Sequence, residues 1–160
     1  GKTVTAHVYS VDHMQKLIKY GIDGMEHCSL MDEETAQMII DHDVYVVPTF
    51  CPYEEAVHYD PVMIQTKQKE YRIKLEYYKD ALQAGREVIK NCKCKLGYGT
   101  DMVATHQNYE SGYEFKAWME SGMGTFRTLH AATQVNSEIL QLEDKIGTLE
   151  RLDDRSICAS

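Results

Sequence analysis

Four short β-branched or apolar segments, each followed by helical spacing and none joined to the next by a hairpin turn, constrain this chain most. That alternation is the signature of βα repeats on a parallel sheet. Thr3-Val4-Thr5-Ala6-His7 reads as a buried strand, and Ser10 after it suits a helix N-cap. Met14, Leu17 and Ile18 follow at helical spacing, and Gly21 is placed to end that helix. Gly24-Met25-Glu26-His27 makes a second strand, and Asp32-Glu33-Glu34 puts acid at the start of the helix carrying Ala36, Ile39 and Ile40. Val44 to Thr49 is apolar enough for a strand buried on both faces, with Pro48 ending its ladder.

Beyond an irregular stretch from Phe50 to Pro61, a long helix is expected from about Thr66 to Lys90, with Tyr71, Leu75, Tyr78, Leu82, Gly85 and Ile89 on one stripe. Lys95 to Gly99 is the fourth strand. Two more helices follow, one with Phe115, Trp118 and Met119, the other capped by Thr125 with Phe126, Leu129 and Thr133 on one side. The fold class is α/β, with about four parallel strands and flanking helices.

A chain of 160 residues supports one domain with a substantial core. Its 43% hydrophobic and 26% charged residues are those of an ordinary globular domain. A formal charge of -8 repels phosphate backbones and anionic lipid, so no nucleic acid or membrane partner is expected. With no apolar run of spanning length and no signal-peptide core, the expected compartment is the cytoplasm. The 5 cysteines lack paired CxxC spacing and read as reduced thiols. Cys92 and Cys94 are only half of a tetrahedral metal site, against an ordinary loop before a strand.

In parallel βα architectures, polar residues at the carboxyl ends of successive strands converge in space. His7, His27 and Asp101 all meet that condition. Two imidazoles and a carboxylate suit zinc, whose bound water becomes a nucleophile at neutral pH, so the set points to metal-assisted hydrolysis. The competing reading is structural: a lone strand-end histidine commonly serves as a hydrogen-bonded support, and Gly-Thr-Asp before a helix suits a turn and N-cap. His13, His42, His58, His106 and His130 are scattered and expected in solvent. A phosphate-binding barrel has little support, because no Gly-rich loop precedes a helix at the required spacing.

Thr5-Ala6-His7, Met25-Glu26-His27 and Gly99-Thr100-Asp101 resemble the last three strand-end motifs of the amidohydrolase superfamily. Gly21-Ile22-Asp23, Val47-Pro48-Thr49, Ser121-Gly122-Met123, Ala131-Ala132-Thr133 and Ile146-Gly147-Thr148-Leu149 resemble the branch holding imidazolonepropionases and metal-dependent Xaa-Pro dipeptidases. The resemblance runs from about residue 3 to residue 149. It implies the C-terminal half of a TIM-like (β/α)8 barrel over residues 1–149, with a divergent tail at 150–160. It further implies a divalent metal, zinc first, with His7 and His27 binding the second metal of a binuclear pair or together helping to hold a single zinc, and C–N bond hydrolysis in a dipeptide or cyclic amide. Asp101 would accept a proton from the attacking water and return it to the leaving amine. His106 matches a family position after the last strand, with a substrate-binding or supporting role.

The family places a His-x-His pair on the first barrel strand and a carboxylated Lys or Glu on the fourth, and this chain has no His-x-His. Leu149 to Asp154 replaces the family's glycine turn and Ala-Asp-Leu/Ile strand, so the usual β-rich side domain is not expected. A half barrel leaves two edges unpaired and an apolar face uncovered, which predicts a homo-oligomer or pairing with a missing N-terminal half. The alternative function is a non-catalytic assembly module that uses the open edge and the helix at 66–90.

Overall fold

The computed structural model describes residues 2–51, 80–102 and 112–148. Strand β1 (Thr5–Val8) leads to α1 (Val11–Lys19), β2 (Gly24–His27) to α2 (Glu33–Asp41), and β3 (Tyr45–Val47) precedes α3 at residues 80–91. Strand β4 (Lys95–Leu96) is followed by α4 (Tyr113–Glu120), α5 (Thr125–His130), a π-helical turn (Ala131–Val135) and α6 (Asn136–Ile139). The four strands pair in parallel in the order β1-β2-β3-β4. With right-handed crossovers, a sequential order puts every helix on one side of the sheet, as in a barrel wall, whereas a doubly wound sheet reverses its order.

Register explains which face is covered. Ala6, Met25, Val46 and Leu96 align across the sheet. Met25, Val46 and Leu96 meet Met14 and Ile18 of α1, Ile39 of α2, Ile89 of α3 and Trp118 of α4 in one hydrophobic core. The opposite face carries Thr5, His7, Glu26, Tyr45 and Lys95, none of them buried, with the buried Val47 in register with Glu26. The open face is therefore largely polar, which corrects the expectation of an uncovered apolar face. Gly24 lets the Tyr45 ring lie flat on the sheet there, since a Cβ at Gly24 would sit 2.0 Å from that ring.

Helix ends follow local chemistry, with two departures from expectation. Asp32 caps α2 by accepting the Thr35 N–H at 2.8 Å, and Gly21 (φ 80) turns the chain out of α1. Ser10 stands at the start of α1, but its hydroxyl pairs with His13 Nδ1 at 2.8 Å. Gly124 (φ 76) precedes α5, so Thr125 is the first helical residue and not its cap.

The expected stripe on α5 faces outward: Phe126 is 82% and Leu129 51% exposed, while Thr128, Ala131 and Val135 are buried. Small inward side chains bring this helix close to β4. At Gly97 a Cβ would lie 2.5 Å from Ile139 Cδ1. The Asn136 amide then donates to Tyr98 O and accepts from Tyr98 N, both at 2.9 Å, standing in for a further strand at the β4 edge. Of the expected long helix, residues 80–90 are helical; the rest, the 52–61 loop and the tail from residue 149 lie outside the described residues. Among the described residues no helix is long and apolar enough to cross a membrane.

Candidate functional site

His7 lies on β1, His27 ends β2 and Asp101 follows β4, so all three stand at the carboxyl end of the sheet. Strand alternation would send His27 to the helix-covered face with Met25. His27 instead adopts φ 72, which rotates its Cβ out of the pleat's alternation and turns the ring toward His7. Cys28 (φ 52) and Asp101 (φ 43) share this left-handed region. Such conformations are costly for non-glycine residues and concentrate at functional sites.

The imidazoles converge closely. His7 Nδ1 lies 2.7 Å from His27 Nε2, and the rings stack at 4.9 Å between centroids. Tyr9 stacks on the other side of His27 at 4.8 Å. The second His27 nitrogen, Nδ1, meets Thr49 Oγ1 at 2.7 Å within the buried interior. Burial lowers the His27 pKa, the Asp101 charge opposes that shift, and His7 adds to it. The balance favours a neutral imidazole, the form a metal ligand requires. Asp101 is thus close enough to act on His27 through its charge, although its own side chain is exposed.

A second layer holds Thr49 in place. Glu114 of α4, fully buried, accepts the Phe50 N–H on Oε1 and the Cys51 N–H on Oε2, each at 2.8 Å. It also accepts Trp118 Nε1–H at 2.8 Å. Burial pushes the Glu114 carboxyl up to about 7, against the pull of these N–H donors. Arg86 of α3 donates to Phe50 O at 3.3 Å and lies over the Phe50 ring at 5.1 Å. The sequence reading missed both Thr49 and Glu114. The polar Thr49 directly after Pro48, at the end of an otherwise apolar strand, was the available signal.

The donor chemistry fits a divalent ion in part. His7 Nδ1 and His27 Nε2 face one another and supply two nitrogen donors. Among the described residues no group of three or more His, Cys, Asp and Glu side chains could hold a metal ion, so Asp101 does not join the histidine pair as a third ligand. His13 and His42 are exposed and His130 is half-buried, all away from this pair, while His58 and His106 lie outside the described residues. An opening of about 390 Å³ lies at the opposite end of the strands, beside Asp23, Tyr45, Lys95 and Glu138. It holds none of the three strand-end residues.

A sequential parallel sheet with helices on one side and a histidine pair at its carboxyl end defines part of a (β/α) barrel. Residues 1–151 match the amidohydrolase family, and the chain belongs to it. A Xaa-Pro dipeptidase with methionine bound in its active site is similar at 27% identity and a TM-score of 0.72, over 94% of this chain and 36% of that one. A prolidase complexed with N-methylphosphonate-L-proline gives 26% identity and 0.70, over 92% and 35%. An uncharacterized protein of Mycobacterium bovis is 39% identical over 54 residues, 34% of this chain and 15% of that protein. The chain thus spans about a third of the length of these solved structures.

Proposed function

We propose that this chain contributes His7, His27 and Asp101 to a metal-dependent hydrolase of C–N bonds acting on a dipeptide or cyclic amide. The observation that carries this reading is the 2.7 Å approach of two strand-end imidazoles beside an acidic residue at the carboxyl end of a parallel sheet. Likeness to a Xaa-Pro dipeptidase and a prolidase supports the substrate class.

His7 Nδ1 and His27 Nε2 would hold the ion, zinc first, with Thr49 fixing the His27 ring. When bound, the ion supplies Lewis-acid polarisation of the substrate carbonyl and acidifies water. Asp101 takes a proton from the attacking water on its carboxylate and delivers it to the leaving amine. His106 supports or contacts substrate. The remaining ligands would come from a second copy or from the N-terminal half of a barrel, and the setting is the reducing cytoplasm. A non-catalytic assembly role is the second reading, favoured by outward-facing Phe126 and Leu129.

Elemental analysis of protein purified without a metal-affinity tag tests the site, alongside amine release from Xaa-Pro dipeptides and cyclic amides. Zinc near one equivalent that is lost in His27→Ala is the expected result. Folded protein that neither carries metal nor shifts its histidine NMR signals on zinc addition would leave the assembly reading standing.

A further inference from the structure

Away from the histidine pair, the turn between α3 and β4 gathers a second set of reactive groups. Cys92 is half-buried, and its Sγ receives the Cys94 N–H at 3.3 Å. The Cys94 thiol donates to Ala36 O at 3.7 Å beside this sulfur, and the Cys92 thiol itself lies 3.4 Å from Ile89 O, to which it donates. Arg127, reaching across from α5, donates to Cys92 O at 2.9 Å and to Lys90 O. The carbonyl end of α3 by itself disfavours an anion. Arg127 occupies those carbonyls and leaves its positive charge beside the sulfur, so the local balance reverses.

We propose that Cys92 is a peroxide-reactive thiol and that Cys94 resolves it into an intramolecular disulfide. The Cys92 thiolate attacks one oxygen of hydrogen peroxide, the O–O bond breaks, and the departing hydroxide takes a proton and leaves as water. Cys92 is now a sulfenic acid, oxidised by two electrons. The Cys94 sulfur then attacks it: an S–S bond forms, the S–O bond breaks, and the oxygen departs with the Cys94 proton as a second water. Two residues of separation keep the Cα atoms within about 7 Å of each other, which overlaps the range of about 4.4–6.8 Å that a disulfide spans. Hydrogen bonds from the Cys94 thiol and N–H, together with the Arg127 charge, bring the Cys92 thiol down to about 7 against burial, which gives it thiolate at neutral pH. Cys28 makes the contrast: it is wholly buried, and burial pushes its thiol far up.

The experiment exposes the reduced full chain to equimolar hydrogen peroxide, blocks remaining thiols after denaturation, and maps peptides by mass. The expected result is loss of two hydrogens in the peptide holding Cys92 and Cys94. Cys94→Ser should instead accumulate a sulfenic acid at Cys92 that a 1,3-diketone traps, and Cys92→Ser should give neither product. On the unmodified wild type, alkylation of Cys92 should titrate with a midpoint near 7. The proposal is overturned if that peptide stays reduced while another cysteine oxidises, or if the Cys92 midpoint lies at the ordinary thiol value.

Discussion

Thr49 supports the histidine pair through one hydroxyl, and the value of that contact can be isolated. His27 is 2% exposed and its Nδ1 bonds Thr49 Oγ1 at 2.7 Å. Thr49→Val keeps the shape and removes this hydrogen bond from a buried ring nitrogen, at a cost of about 1–3 kcal/mol. The metal-free protein should show the change as a redistribution of His27 between its two tautomers in 15N NMR, with the fold retained, and zinc affinity should fall by about 10–100-fold. An unchanged tautomer population would remove Thr49 from the site. Glu114 gives a pH signature. Its folded pKa of about 7 lies above the ordinary 4.5, so the native state keeps a proton that the unfolded state has released. Stability from this group is complete below pH 4.5, falls as pH rises toward 7 and then levels, a loss on the order of 3 kcal/mol. Subtracting the thermal-midpoint profile of Glu114→Gln from that of wild type should reveal this slope, whereas parallel profiles would contradict it. His7, His27 and Asp101 were readable in the sequence because strand-end placement is a local property. Glu114 was not, because its partners Phe50 and Cys51 are 64 and 63 residues away and only tertiary packing brings them together.

At the scale of elements, the strand-helix alternation was legible because burial imposes it residue by residue, and β1 to β3 and α1 to α2 fall where the periodicity puts them. The inward face of α5 was not. Phe126 and Leu129 satisfy a helical stripe, yet the helix turns Thr128, Ala131 and Val135 inward, and the close approach to the sheet is made further on, where Ile139 and Asn136 of α6 meet Gly97. Glycine at an element contact therefore carried more information than the large apolar residues. Gly85 of α3 makes the same point: a Cβ there would lie 2.1 Å from the Ser29 carbonyl oxygen, a backbone atom with little room to yield. Alanine normally gains about 1 kcal/mol over glycine inside a helix. Here the overlap should outweigh that gain, and Gly85→Ala should destabilise by about 1–3 kcal/mol in urea unfolding. A stabilised variant would mean that α3 does not pack closely on the β2–α2 connection.

For the whole molecule, the question is what completes a four-stranded wall. The β4 edge is short, and the Asn136 amide occupies Tyr98 next to it. The β1 edge has no neighbouring strand among the described residues, and the sheet face beside it holds His7, Thr5 and Glu26. A polar face does not collapse onto another surface for hydrophobic reasons alone, so association should begin at the β1 edge, where backbone hydrogen bonds are on offer. The same geometry would bring a partner's side chains next to the histidine pair and link assembly to metal binding. Light scattering at micromolar concentration should then give a mass above that of one chain, and added zinc should raise the share of the larger species in wild type but not in His7→Ala. If the mass is that of one chain with and without zinc while the thermal midpoint stays ordinary, the β1 edge is not a site of assembly. Association that is indifferent to zinc would instead point to a contact on the outward Phe126 and Leu129 of α5, which does not involve the histidine pair.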